Sequence, residues 1–191
     1  MTSPAPSPGY AARLAARQDK AWKRFVPNPY RIYLRRLELG RTLEVGCGVG
    51  RNLGYLAGSA VGVDSDPEGV ALCRARGYIA FLAAQFEALP ASFDSLLVSH
   101  VLEHVAADER VAFLARYVAF VRSGGRVVVI TPQERGYASD TTHVAFADFR
   151  TVASLCESLG LRVVTQRSFP LPRVFGRLFV YNEFVTTATV P

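Results

Sequence analysis

The chain has no apolar run near the roughly 18 to 20 residues that a bilayer-spanning helix needs. Its apolar runs are short, such as Val127 to Ile130, which Arg126 precedes and Pro132 follows closely. The first ten residues are rich in Pro and Ser and hold no continuous apolar segment, so no secretory leader is expected. Cysteine is sparse as well. Cys47, Cys73 and Cys156 stand far apart, with no CxxC pair and no zinc-type Cys/His spacing, which excludes a disulfide framework and a zinc-finger module. Reduced thiols in a cytoplasmic protein are the expectation. Acids are scarce in one place only. Residues 1–41 hold nine bases and two acids, Asp19 and Glu38, whereas the other 150 residues sum to −1. Such an arm can attract nucleic acid, anionic lipid or an acidic substrate, and it can equally be the solvated face of a helix.

What is present suits one folded domain. There are 191 residues, half of them apolar and a fifth charged. Residues 1–9 read as a disordered tail, residues 10–40 as a basic helical cap and residues 41–191 as the main domain. In the cap, Pro29 is a favoured first helical residue, and Tyr30, Tyr33, Leu34 and Leu37 fall on one helix face, closed by Gly40. Beyond it, β-rich runs alternate with helical ones. Strands are predicted at 42–45, 60–63, 79–83, 93–99, 126–131, 161–167 and 183–190. Helices are predicted at 51–57, 68–76, 108–121 and 146–159, with a turn at Gly124-Gly125. This alternation implies βαβ units, hence an α/β, Rossmann-like, doubly wound and mostly parallel sheet under a helical lid.

The most informative stretch is Leu43-Glu44-Val45-Gly46-Cys47-Gly48-Val49-Gly50-Arg51-Asn52-Leu53. Three alternating glycines follow one strand and precede one helix, so backbone without Cβ atoms can turn sharply and admit a ligand. Asp64 ends the next strand, where a carboxylate can accept from two ribose hydroxyls. The dinucleotide fingerprint GxGxxG fails in both registers, because Arg51 and Leu53 stand where its third glycine would. An acid-x-Gly-x-Gly-x-Gly loop instead suits S-adenosylmethionine, which has no pyrophosphate to place at a helix start.

Three further segments follow in order: Ala84-Gln85-Phe86-Glu87-Ala88-Leu89-Pro90, Ser92 through Val105, and Arg122-Ser123-Gly124-Gly125 leading into Val127 to Pro132. On these and the glycine loop, residues 41 to 190 resemble the class I S-adenosylmethionine-dependent methyltransferases, nearest the small-molecule branch that includes ubiquinone-biosynthesis O-methyltransferases. The resemblance implies a seven-stranded sheet with an antiparallel last strand, and S-adenosylmethionine as cofactor with S-adenosylhomocysteine as product. It places Gly46, Cys47, Gly48, Gly50 and Asn52 in the loop under the methionine and ribose, and Glu44 as the acid that orients this loop or meets the amino group. Asp64 falls to the ribose, Ser65, Gln85 and Phe86 to the adenine, and Ser99 and His100 to the methionine side. Gln85 departs from the family, which usually has Asp there.

Methylating a hydroxyl requires a base. His143 is the favoured candidate, in the polar loop Tyr137-Ala138-Ser139-Asp140-Thr141-Thr142-His143, with Asp140 to orient it. The alternative is that Asp140 and Thr142 form turn bonds and His143 caps the next helix. His104 is a secondary candidate, and His100 reads as a pocket wall. Asp140 and His143 are two potential ligands, too few for a metal site, so no metal is expected. Trp22, Tyr30 and Tyr137 are candidates to meet the acceptor. The function expected is O-methylation of a small molecule such as a sugar, polyketide or quinone-like compound. Against nucleic acid stands the absence of an Asn-Pro-Pro-aromatic motif at Ser99-His100-Val101-Leu102. A lipid acceptor and a non-catalytic partner subunit are the other readings.

Overall fold

The computed structural model describes residues 29–56 and 58–191. The tail at 1–9, most of the basic cap and Trp22 lie outside the described residues. The seven strands form one mixed sheet in the order β3-β2-β1-β4-β5-β7-β6. The chain divides into two compact units, residues 1–87 and 88–191.

In the first unit, helix α1 (Pro29–Arg36) begins at the predicted proline and buries Leu34. Strand β1 (Thr42–Val45) is buried at every position. Helix α2 (Arg51–Tyr55) follows, then β2 (Ala60–Asp64), helix α3 (Pro67–Ala75) and β3 (Ile79–Leu82). The strands run parallel, with Thr42 opposite Ala60 and Val61 opposite Ile79. Asp66 starts α3 by accepting the Glu68 N–H, with Pro67 at the first helical position. Val70 and Cys73 point inward from α3. Strand β3 buries Ala80 and exposes Ile79 and Phe81, the alternation of a strand packed on one face only.

In the second unit, β4 (Phe93–Ser99) leads into a 3-10 turn (Leu102–His104) and helix α4 (Arg110–Val118). Next come β5 (Val121–Pro132), the short helix α5 (Glu134–Tyr137), α6 (Phe149–Ser158), β6 (Arg162–Phe169), a second 3-10 turn (Arg173–Arg177) and β7 (Glu183–Thr189). Strand β5 is parallel to β4 and antiparallel to β7, which in turn is antiparallel to β6. The core is the continuous apolar run of β5 with Leu96, Leu97, Val98, Val185 and Ala188, all nearly solvent-free.

Several boundaries differ from the sequence reading. The helix predicted to run to Val121 stops at Val118, and the predicted turn at Gly124-Gly125 is a bulge inside β5. The register there jumps from Phe93 opposite Val121 to Ser95 opposite Arg126. The helix predicted from Phe146 starts at Phe149, because Asp148 Oδ1 accepts from both the Thr151 N–H and its hydroxyl (2.9 Å each). Phe146 continues the apolar pattern but serves the loop, its ring lying 5.9 Å from that of Phe184.

One buried polar knot was not legible in the sequence. Asn182 Nδ2 donates to Gln133 Oε1 (3.0 Å), Gln133 Nε2 donates to the Glu183 carbonyl (2.9 Å), and both side chains are fully buried. The knot ties the end of β5 to the start of β7. Asn182→Ala leaves the Leu171 N–H without its partner and Gln133 Oε1 with only the long contact from Arg173 Nη1 (3.5 Å). A loss of about 1–3 kcal/mol is expected in urea unfolding, the usual cost of orphaning buried polar groups.

Candidate active site

The first unit holds a cradle around the glycine loop. Gly46, Gly48 and Gly50 all have positive φ (76°, 53° and 83°). At Gly50 a Cβ would lie 2.8 Å from the Tyr78 ring, so both space and backbone demand glycine. At Gly48 a Cβ would meet nothing within 4 Å, so the backbone there borders open space.

Asp64 fixes this loop. Its Oδ2 accepts from the Gly48 N–H (2.7 Å) and its Oδ1 from the Asp66 N–H (2.9 Å). Each oxygen keeps a second lone pair for an added donor. Burial raises the Asp64 pKa, and these N–H bonds act against the rise.

Glu44 lies inside β1 and is 1% exposed. Asn52 Nδ2 donates to its Oε1 (2.7 Å), whereas its Oε2 has no hydrogen-bond partner. Burial pushes the Glu44 carboxyl up to about 8, against the lowering by Asn52. Asn52 thus positions Glu44. Cys47 turns its thiol inward, where a Cβ on Gly62 would lie 2.7 Å from the sulfur, so only its backbone belongs to the loop surface. Ser65 and Gln85 are exposed, while Phe86 is buried with its ring 5.7 Å from that of Phe81. Tyr30 carries the Arg51 guanidinium over its ring at 5.0 Å.

The second unit gathers all three histidines and two acids. His100 follows β4 with φ 57°, its backbone N–H on the Ile130 carbonyl (2.9 Å). Its Nε2 lies 2.7 Å from Glu183 Oε1 and its Nδ1 3.2 Å from Glu103 Oε1. Burial alone would lower its pKa, but the Glu183 and Glu103 carboxylates outweigh that and raise it to about 10. His100 is therefore an imidazolium held between two acids at neutral pH. Ser99, before it, is buried at 5% exposure.

His143 Nδ1 lies 2.7 Å from the Tyr137 carbonyl, and its ring stacks on the Tyr137 ring (5.1 Å, 21°). The His104 ring meets it edge-on at 4.9 Å, and His104 Nδ1 lies 3.2 Å from the Thr142 carbonyl. Asp140 does not orient His143 as expected. Its Oδ1 accepts from the Thr142 N–H (2.9 Å) and hydroxyl (2.7 Å), a local turn that satisfies the acid within its own loop. Nor does His143 cap the next helix, since Asp148 does so. Tyr137 appears here as a wall for His143.

Sequence reasoning missed Glu103 and Glu183. Glu103 stood beside His104 in the motif, a signal that was available. Glu183 is 83 positions from His100, so no local pattern could pair them.

Against this geometry the comparisons with known proteins take on meaning. The methyltransferase domain family matches residues 43–129. No curated relative matches the chain in sequence. Several solved structures share its fold at low identity. One is a chain of the Haloferax volcanii complex between the Trm112 methyltransferase activator and a putative methyltransferase (17% identity, TM-score 0.74, 96% of this chain and 95% of that one). Another is the TehB-like S-adenosylmethionine-dependent methyltransferase of Corynebacterium glutamicum (19%, 0.72, 97% and 100%). A third is the 1,6-didemethyltoxoflavin-N1-methyltransferase of Burkholderia thailandensis, with bound 1,6-didemethyltoxoflavin and S-adenosylhomocysteine (20%, 0.65, 96% and 84%). The fold is that of the class I methyltransferases. Residues 43–129 thus match the methyltransferase domain family, and S-adenosylmethionine is the cofactor that this domain and this fold imply.

The residues present fit that cofactor. A buried carboxylate with an orphaned oxygen suits an ammonium group, and open backbone at Gly48 suits close approach. If Glu44 meets the ammonium as a carboxylate, binding below about pH 8 must first expel a proton. Affinity for S-adenosylhomocysteine is expected to tighten between pH 6 and 8, by at most about tenfold per unit, and to level off above. Titration calorimetry in buffers of differing ionisation heat would show the proton release, and Glu44→Gln would abolish the trend.

His100 titrates the other way. Its raised pKa stabilises the fold fully below its unfolded value of about 6.5, and that stabilisation is lost as pH rises towards about 10. The unfolding free energy read from urea denaturation at pH 6 to 10 is expected to fall less steeply with pH in Glu183→Gln than in the parent chain.

Proposed function

We propose that the enzyme methylates a hydroxyl oxygen of a small-molecule acceptor, of the sugar, polyketide or quinone-like kind, with His143 as general base. The observation that carries this reading is the 2.7 Å contact between His143 Nδ1 and the Tyr137 carbonyl. A carbonyl can only accept, so it holds the proton on Nδ1 and leaves Nε2 as the lone-pair nitrogen.

S-adenosylmethionine, when bound, supplies a methyl group already activated on a sulfonium. The chain's own residues have two tasks left: to hold the partners in line and to remove the acceptor's proton. Glu44, oriented by Asn52, is proposed to bind the ammonium, the Gly48 backbone to line the methionine chain, and Asp64 to accept from the ribose hydroxyls. Ser65, Gln85 and Phe86 are assigned to the adenine side, with the exposed Gln85 amide able to accept from an exocyclic amine.

His143 is proposed to take the acceptor's proton on Nε2. Stacking on Tyr137 fixes the ring plane, and the edge-on contact with His104 limits its rotation. His100 cannot share this work, because a pKa of about 10 keeps it protonated. His104 and Tyr137 are positioning residues in this reading. The Burkholderia neighbour is an N1-methyltransferase with bound 1,6-didemethyltoxoflavin, which supports a small-molecule acceptor.

The test is release of S-adenosylhomocysteine from a panel of hydroxylated small molecules, with RNA and anionic vesicles as rivals. With any accepted hydroxyl compound, His143→Ala is expected to lower turnover by about 10²- to 10⁴-fold. Affinity for S-adenosylhomocysteine should stay within about twofold. Unchanged turnover in His143→Ala would remove it as base, and release from RNA alone would overturn the small-molecule reading.

A further inference from the structure

Glu103 is the least expected side chain in the molecule. It is 1% exposed, yet neither carboxylate oxygen has a hydrogen-bond partner. A buried acid in that state is costly unless something positive meets it. His100 does so only in part, at 3.2 Å and without hydrogen-bond geometry, and its closer partner is Glu183 at 2.7 Å. Arg110 does not hydrogen-bond to Glu103 either. Its guanidinium donates to the carbonyls of Leu102, Val105, Ala145 and Phe146.

Two imidazoles stand beside this acid. Glu103, His104 and His143 each offer a ligand atom, and these atoms lie within 4.8 Å of one another. Among the described residues this is the group of three so placed. Asp140 and His143 alone are too few donors for a metal. The third and fourth candidates come from the turn after β4, and Asp140 is spent on Thr142.

The geometry points to a divalent transition-metal site formed by Glu103, His104 and His143. One carboxylate with two imidazoles suits zinc, cobalt or nickel, and imidazole ligands disfavour magnesium and calcium. The site is held by its surroundings. The Glu103 carbonyl accepts the Val144 N–H (2.7 Å), which fastens the 3-10 turn to the loop that carries His143. His143 Nδ1 is occupied by the Tyr137 carbonyl, the outer hydrogen bond that directs a liganding imidazole's other nitrogen to an ion. Glu183 Oε1 is the nearer partner of His100, at 2.7 Å against 3.2 Å for Glu103 Oε1.

The site stands independently of the methyl-transfer reading, although the two share one atom. An ion on His143 Nε2 occupies the lone pair that the base role requires, so metal loading silences that base.

Cobalt(II) added to the metal-free full-length chain tests the site directly. One equivalent per chain is expected to bind, with visible ligand-field bands of a nitrogen- and oxygen-ligated ion, and zinc should displace it. Glu103→Gln and His104→Ala are each expected to weaken binding at least tenfold. Asp140→Ala should bind as the parent does. S-adenosylhomocysteine titration on every variant reports whether the cofactor cradle still folds, so a variant that fails to fold is not mistaken for a lost ligand. The proposal is overturned if the parent chain takes up no stoichiometric cobalt. It is equally overturned if Glu103→Gln and His104→Ala, both competent for S-adenosylhomocysteine, bind cobalt as tightly as the parent.

Discussion

Strands buried on both faces leave little room for polar side chains except where each strand ends or where a partner is built in. This constraint governs the molecule. Strand β1 is buried at all four positions, yet it carries Glu44. The acid is tolerated because Asn52 meets one oxygen, and the other has no hydrogen-bond partner among the described residues. In the first unit Asp64 ends β2, and in the second Ser99 ends β4 with His100 just beyond it, so in each unit polar groups stand where a hydrogen-bonded ladder stops.

Desolvation then sorts these groups into roles. Glu44 and His100 are both raised in pKa, for different reasons and with opposite consequences. Glu44 is raised by burial to about 8 and so holds a proton at neutral pH. His100 is raised despite burial, because two carboxylates flank it, and so it is a fixed charge and not a base. His143 takes its direction from a neutral carbonyl, which fixes a tautomer without adding charge. Three histidines within one unit are thus told apart by what touches their ring nitrogens.

The loop that carries His143 owes its shape to bonds made elsewhere. Arg110 is among the largest fully buried side chains, and it gathers carbonyls from the turn after β4 and from Ala145 and Phe146. Thr131 adds a bond to the Ala147 carbonyl (2.7 Å). A polar loop with few apolar residues becomes a defined surface because its backbone is held at several points.

The sequence by itself determined the strands, the glycine loop and the cofactor. Alternation of β-rich and helical runs is a local signal, and so are three glycines and an acid at short spacing, where backbone conformation decides the pattern. Strand 93–99 was legible to the residue, whereas the helix start at Asp148 was hidden by an apolar Phe146 that continues the helical pattern without joining it. The pairing of His100 with Glu183, the orphaned state of Glu103 and the orientation of His143 by Tyr137 belong to the tertiary structure alone. Hydrogen bonding between side chains far apart in sequence, and the loss of water around them, leave no periodic trace in the chain. Only the packed fold decides which carboxylates flank an imidazole and which oxygens lack a hydrogen-bond donor.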